Sequence, residues 1–179
     1  MLEEIIIAGF GGQGVMSMGQ TIAYSAMIEG KHVSWLPSYG PEQRGGTANV
    51  SVVVSDREVG SPLVTRPSVA IILNNPSFDK FEPTIRPGGI LLCNTSLVTK
   101  QSNRDDIQVI EIDATNLAIE LGQERIANMI LLGALLSLTN LVTIESIIDS
   151  LKKVLPERKH HLLDVNRTAL EKGYHSITG

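Results

Sequence analysis

Five residues near the start of the chain have the types and spacing of an anion-binding turn, namely Gly9, Gly11, Gly12, Gln13 and Gly14. They follow the segment 4–8, whose three consecutive isoleucines predict a strand buried on both faces. Glycines let the backbone turn tightly and bring bare N–H groups close to a ligand. The proline-free stretch 15–28 predicts a helix after the turn, and the N-terminal end of a helix favours phosphate or carboxylate.

The spacing of Gly9, Gly11 and Gly14 also fits the turn of dinucleotide-binding folds. In those folds an acidic residue at the end of the second strand holds the ribose hydroxyls. The second strand is predicted here at 32–36, and Pro37 follows it with no Asp or Glu. The sequence therefore predicts a phosphate site but lacks the acidic residue that indicates NAD binding. The alternative is a structural role, in which the glycines only let the helix and strand pack closely.

A second segment, 35–46, combines two aromatic residues, two prolines, three glycines and one acid–base pair. It begins in a predicted strand and continues in a predicted loop over 37–46, at the place where open α/β sheets bind ligands. Arg44 offers a planar fork of donors that suits phosphate or carboxylate. The alternative is a rigid structural turn in which Arg44 pairs with Glu42. We expect this segment to share one edge of the sheet with the first turn. Its candidate site residues are Tyr39, Gly40, Pro41, Glu42, Arg44, Gly45 and Gly46.

The composition narrows the function classes. The 179 residues are 42% apolar and 19% charged, as in globular proteins, and the net charge of −4 argues against general nucleic-acid binding. The single cysteine, Cys93, cannot form an internal disulfide or hold an iron–sulfur cluster, and we expect it in a buried strand. The acidic start does not resemble a signal peptide, and polar residues interrupt the apolar stretch 126–142. We therefore expect a cytoplasmic protein outside the membrane.

Strand and helix signals alternate along the chain, which predicts a three-layer α/β/α fold with a Rossmann-like, mostly parallel sheet. The strand predicted at 47–54 follows the second strand too closely for a helix between them, so we expect it to be antiparallel or irregular. Thr143 is the predicted N-cap of a helix over 144–155. The last helix is predicted over 158–172, ending near Gly173. We expect one domain over 1–179, with no metal site and no evident acid, base or nucleophile constellation.

Taken together, the chain resembles the gamma subunit of 2-oxoacid:ferredoxin oxidoreductases, most closely the 2-oxoglutarate type. The resemblance rests on the segments 9–14, 35–46, 60–62 and 128–134 and covers essentially the whole chain. It implies a multi-subunit enzyme that oxidatively decarboxylates a 2-oxoacid with coenzyme A and reduces ferredoxin.

The resemblance further implies alpha, beta and ferredoxin-like delta subunits as partners, with thiamine diphosphate and iron–sulfur clusters held there. This chain would complete a coenzyme A cleft and be inactive alone, with the turn 11–14 meeting a phosphate or a partner subunit. The segment 39–46 would border the shared pocket, and no catalytic residue is assigned. Three alternatives stay open, namely a free-standing dinucleotide-binding protein, an indolepyruvate-type relative, and a scaffold without ligand contact.

Overall fold

A computed structural model describes residues 1–40 and 46–178 of the chain. The strands are β1 (Leu2–Phe10), β2 (His32–Tyr39), β3 (Thr47–Ser55), β4 (Val69–Ile72), β5 (Ile90–Asn94) and β6 (Gln108–Ile112). The α-helices are α1 (Val15–Ile28), α2 (Asn75–Phe81), α3 (Ala114–Glu120), α4 (Ala127–Thr139), α5 (Ile144–Val154) and α6 (Leu163–Thr178). Short 3-10 helices cover Glu82–Thr84, Glu124–Ile126 and Glu157–Leu162.

The strands form one six-stranded sheet in the order β2-β3-β1-β4-β5-β6. Strand β3 runs antiparallel to both of its neighbours, whereas β1, β4, β5 and β6 are parallel. Ile7 in the centre of β1 lies between Val50 of β3 and Ile71 of β4. The prediction of a mostly parallel sheet with one antiparallel strand is confirmed.

Both faces of the sheet are buried at its centre, where β1 lies, which explains the run of isoleucines in β1. Ile5 and Ile7 point into the larger core, which contains residues of α1, α3, α4, α5 and α6. Ile6 and Ala8 point the other way, into a smaller core with Phe78 of α2. A fully buried isoleucine contributes about 1.5–3 kcal/mol, so burial on both faces anchors this strand firmly. The three-layer α/β/α prediction is confirmed.

The prediction that the last helix would end near Gly173 is wrong, because α6 begins at Leu163 and continues to Thr178. Gly173 is buried where α6 crosses α4, and a Cβ at this position would overlap the backbone carbonyl of Ile130. Gly133 of α4 faces Leu170 of α6 in the same way. These glycines permit close approach of two helix backbones rather than marking a helix end.

The predicted loop over 37–46 begins too early, because β2 continues through Pro37 to Tyr39. Strand β2 is the edge of the sheet, where a proline costs no ladder hydrogen bond on its open side. Other local predictions are confirmed: α1 has the predicted bounds, and Cys93 is buried in β5.

Helix α1, which follows the glycine turn, is fixed at its far end by a carboxylate. Glu29 accepts hydrogen bonds from the Thr143 N–H at 2.7 Å and the Ser146 hydroxyl at 2.7 Å, and it pairs with Lys31 at 3.0 Å. Burial works to raise the pKa of Glu29, but these hydrogen bonds outweigh it and lower the pKa to about 2. The prediction that Thr143 is the N-cap of α5 is confirmed, because its hydroxyl accepts a hydrogen bond from the Ser146 N–H at 3.1 Å.

Among the described residues, no helix has both the length and the apolar character needed to cross a bilayer.

Candidate functional site

The glycine turn joins the carboxyl end of β1 to α1, and its backbone requires glycine at two positions. Gly12 and Gly14 have φ angles of 91° and 79°, a region that side chains disfavour. Gly9 is needed for space instead, because a Cβ there would lie 2.9 Å from the Cβ of Leu73. Glycine is thus required at Gly9 and Gly14 of the sequence pattern and at Gly12 beside it, whereas a Cβ on Gly11 would make only an ordinary contact at 3.9 Å.

Gln13 holds the turn in shape from within. Its side-chain Oε1 accepts the Phe10 N–H at 2.6 Å, and its Nε2 donates to the Leu73 carbonyl at 3.1 Å. The Gln13 carbonyl accepts a further hydrogen bond, at 3.0 Å, from the side-chain amide of Asn128 in the first turn of α4. The turn is therefore tied to β4 and to α4, and its shape does not depend on a ligand.

The turn leaves backbone donors open at the start of α1. Within the described part of the chain, the N–H groups of Gly12, Gly14 and Val15 have no hydrogen-bond partner. The first turn of α1 contains no acidic residue that would offset the positive end of the helix dipole. Open N–H groups at a helix start form a site for an anion such as a phosphate.

The second predicted segment lies beside this turn, at the rim of the sheet formed by the carboxyl end of β1. The Gly11 N–H donates to the Gly46 carbonyl at 3.0 Å, and the Gly40 N–H donates to the Thr47 carbonyl at 2.7 Å. Tyr39, at the end of β2, is 70% exposed. The expectation that the two segments share one rim is confirmed for the residues described. Pro41, Glu42, Arg44 and Gly45 lie outside the described residues.

A cleft of about 630 Å³ opens next to the glycine turn. The chain leaves β1 toward one side of the sheet and β4 toward the other, and ligands bind in α/β sheets at this kind of switch point. The cleft is lined by Gly12, Gln13, Gly14, Ser17, Leu73, Asn94, Leu97, Thr115, Glu124, Arg125, Ala127 and Asn128. Of the described candidates from sequence, three residues of the glycine turn line the cleft, namely Gly12, Gln13 and Gly14. The described residues of the second segment lie beside it.

The polar residues on the far wall of the cleft are not among the candidates predicted from the sequence. Arg125 precedes α4, is exposed, and makes no ion pair with any described residue. Asn94 ends β5, and its amide donates to the Thr115 hydroxyl at 3.0 Å. A polar residue closing a buried strand is the signal that identifies Asn94. Asn128 could have been identified as a polar residue in an apolar helix, whereas an isolated Arg125 gives no such signal.

The described lining of the cleft contains one carboxylate, that of Glu124, and otherwise supplies groups for binding rather than for proton transfer. Ser17 donates its hydroxyl to the Gly14 carbonyl at 3.0 Å, so that proton is already committed. Cys93 is not a nucleophile at neutral pH, because burial first, and the nearby carboxylates of Glu111 and Glu82 second, raise the pKa of its thiol to about 12. Residues 1–40 and 46–178 contain no group of three or more His, Cys, Asp or Glu side chains placed to hold a metal ion.

The chain is similar in sequence to subunits of 2-oxoacid oxidoreductases. The family model described as pyruvate ferredoxin/flavodoxin oxidoreductase matches residues 4–176. The ketoisovalerate oxidoreductase subunit VorA of Methanothermobacter marburgensis is 44% identical over 172 residues, covering 95% of this chain and 35% of that protein. The 2-oxoglutarate synthase subunit KorC of Methanocaldococcus jannaschii is 35% identical over 181 residues, covering 97% and 93%. The chain thus spans about a third of the first relative and nearly all of the second.

Solved structures share the fold. The gamma subunit of a keto/oxoacid ferredoxin oxidoreductase from Geobacter sulfurreducens superimposes with a TM-score of 0.83 at 29% identity, covering 99% of each chain. The 2-oxoglutarate:ferredoxin oxidoreductase of Magnetococcus marinus superimposes with a TM-score of 0.87 at 24% identity, covering 97% of this chain and 30% of that one. The same fold therefore occurs both as a separate chain and as part of a longer one.

Proposed function

Because the chain belongs to the pyruvate ferredoxin/flavodoxin oxidoreductase family, we propose that it is the gamma-type subunit of a 2-oxoacid:ferredoxin oxidoreductase. The enzyme would break the bond between the carboxylate and carbonyl carbons of a 2-oxoacid and release CO2. The acyl group would pass to the thiol of coenzyme A, and two electrons would pass to ferredoxin. Support comes from relatives over nearly the whole chain that carry names of this enzyme class.

We propose that this chain forms one wall of the coenzyme A cleft. The observation that carries this assignment is the set of N–H groups at the start of α1 that are open among the described residues, beside a cleft that also contains Arg125, which forms no ion pair with any of those residues. Coenzyme A carries several phosphates, and backbone donors and a guanidinium are the groups that bind them. The turn 11–14 and Arg125 would hold a phosphate, while Tyr39, Gly40 and Gly46 would border the shared pocket. The segment 41–45, with Arg44, is assigned to that border from sequence alone.

The redox chemistry belongs to partner subunits in this proposal. An iron–sulfur cluster needs several thiolates, and the only cysteine of this sequence is buried with a raised pKa. Thiamine diphosphate would supply the group that takes the acyl carbon during decarboxylation. This chain's own residues would bind and orient coenzyme A and exclude water from the cleft. Alpha, beta and ferredoxin-like delta subunits are the proposed partners, acting in the cytoplasm.

The identity of the 2-oxoacid is a separate part of the proposal. The resemblance found in the sequence favours an enzyme of the 2-oxoglutarate type. The relatives include subunits named for both 2-oxoglutarate and ketoisovalerate enzymes. The ketoisovalerate relative is the more identical of the two. Because the proposed subunit touches coenzyme A rather than the oxoacid, the choice between these substrates would lie mainly in the partner subunits.

The test is an assay of the complex assembled with its co-expressed partner subunits, using a viologen dye as electron acceptor. We expect activity with a 2-oxoacid and coenzyme A only in the complex, with 2-oxoglutarate and ketoisovalerate compared in parallel. Arg125→Ala should raise the KM for coenzyme A about 5- to 30-fold, the equivalent of about 1–2 kcal/mol, with little change in the KM for the oxoacid. Arg44→Ala should weaken coenzyme A use or assembly.

A matched control is Arg66→Ala, since Arg66 is also exposed and without an ion pair among described residues but precedes β4 at the opposite rim. An unchanged KM for coenzyme A in Arg125→Ala refutes the placement of the phosphate. Full activity of the lone chain refutes the subunit assignment. The competing dinucleotide-binding function predicts tight NAD or FAD binding by the lone chain in calorimetry, although β2 ends without the acidic residue that NAD sites use.

A further inference from the structure

Strand β6 forms the edge of the sheet opposite to β2, and the backbone groups of two of its five residues have no partner among the described residues. The Gln108 N–H donates to the Gly89 carbonyl at 2.8 Å, and the Ile112 carbonyl accepts from the Thr95 N–H at 2.8 Å. In a parallel pair, successive residues direct their N–H and C=O groups to alternate sides. Val109 and Glu111 therefore point both groups away from β5, where the described residues offer them no hydrogen-bond partner.

Strand β6 is short and carries one charged residue, Glu111, but it lacks the two residue types that most directly block pairing at an edge. Edge strands are commonly blocked by a proline or a lysine, and β2, on the other side of the sheet, contains Pro37. Strand β6 has neither residue. Its open side borders a groove of about 440 Å³, whose other wall comes from Leu117 of α3 and from Ser176 and Ile177 of α6. The groove thus offers aligned backbone groups together with apolar side chains.

The charge of the groove is negative. Glu111 is exposed and makes no ion pair with any described residue. The carboxylate of Asp113 accepts hydrogen bonds from the Ser96 hydroxyl and the Asn116 amide, which hold its pKa below the usual range. None of the described residues that line the groove is Lys or Arg. A segment that fits here must therefore pair with strand backbone and carry positive charge.

We propose that β6 is extended by a strand from a different polypeptide, one in which basic side chains alternate with apolar ones. The added strand pairs with the outward groups of Val109 and Glu111, its apolar residues contact the groove, and its basic residues face Glu111 and Asp113. A second copy of this chain fits less well, because pairing two β6 strands gathers like carboxylates from chains that each carry a net charge of −4. In identifying this polypeptide as a partner subunit, the inference rests on the proposed function.

Hydrogen exchange measured on the assembled complex and on the lone chain tests the proposal. We expect the amides of Val109 and Glu111 to exchange at least about 10-fold more slowly in the complex, since exchange requires the added strand to open. Unchanged exchange in an active complex overturns the docking proposal alone. Protected amides in a complex without coenzyme A-dependent activity overturn the proposed function alone, because exchange reports association rather than turnover. If this chain associates with none of its co-expressed partner subunits, the docking proposal is overturned.

Two variants test the chemistry of the docking. Val109→Pro removes an outward donor without touching the hydrogen bonds to β5, and Glu111→Lys reverses the charge; each should weaken partner affinity about 5- to 10-fold. Glu58→Lys makes the same charge change at an exposed position outside this groove, so it serves as the control and should leave affinity unchanged. Equal loss in Glu58→Lys and Glu111→Lys overturns the basic-strand assignment. Self-association of the lone chain that Val109→Pro abolishes assigns the groove to a second copy and also overturns it.

Discussion

Replacement of Gly14 by alanine tests whether the glycine turn and α4 form one rigid unit. The φ angle of 79° costs alanine about 1–2 kcal/mol. The new Cβ would overlap the side-chain amide of Asn128, lying only 3.2 Å from its Cγ. If that amide rotates away, its hydrogen bond to the Gln13 carbonyl is lost, at about 0.5–1.5 kcal/mol. Alanine also restricts the unfolded chain, which returns about 0.4–1 kcal/mol.

The net loss of unfolding free energy in Gly14→Ala is therefore about 0.5–3 kcal/mol. At about 2–4 °C per kcal/mol for a chain of this size, the Tm should fall by about 1–12 °C. Two control variants separate the contributions. Gly12→Ala has a φ of 91°, but no described atom lies within 4 Å of the added Cβ. This variant should therefore lose only the stability that a positive φ costs alanine. Gly60→Ala has open space and no positive φ, so its stability should be unchanged or slightly raised.

The assay is thermal unfolding followed by circular dichroism, with a double-mutant cycle against Asn128→Ala. In the Asn128→Ala background the overlap is gone, so Gly14→Ala should cost no more than Gly12→Ala does in the wild type. If Gly12→Ala and Gly14→Ala lose the same unfolding free energy in the wild-type background, the turn and α4 do not form one rigid unit. That result would mean that the amide of Asn128 yields at no cost and does not hold the turn.

Two further predictions concern contacts away from the cleft. Gly173→Ala should destabilise by about 2 kcal/mol or more in urea, despite the better helix propensity of alanine, because the backbone carbonyl of Ile130 cannot rotate out of the way; a wild-type midpoint would contradict the close crossing. Glu29→Gln should lose at most about 3 kcal/mol at pH 7, the equivalent of its pKa shift. Because that pKa is lowered, the difference from wild type should shrink as the pH falls from about 4.5 toward 2, and a difference independent of pH would exclude the ionic cap on Thr143 and Ser146.

Features that depend on residues close together in the chain could be predicted from the sequence. The strand-turn-helix over 2–28 follows from a run of isoleucines, a glycine cluster and a proline-free helix, all local signals. The N-cap at Thr143 is equally local, since the hydroxyl and the N–H that it accepts are three residues apart. Mixed strand directions followed from the short spacing between β2 and β3. The resemblance to the oxidoreductase family also rested on contiguous segments, and the family match confirms it.

Contacts between residues far apart in the chain follow from the packing of the fold and could not be predicted from local sequence. Gly173 has the sequence signature of a helix end, yet it is buried because a helix far away in sequence crosses it. Asn128 holds the Gln13 carbonyl across 115 positions of chain, and Arg125 reaches the cleft only because α4 starts there. Local propensities and motifs report interactions within a few residues. The far wall of a cleft, by contrast, is set by how helices and strands pack, which depends on every core contact at once.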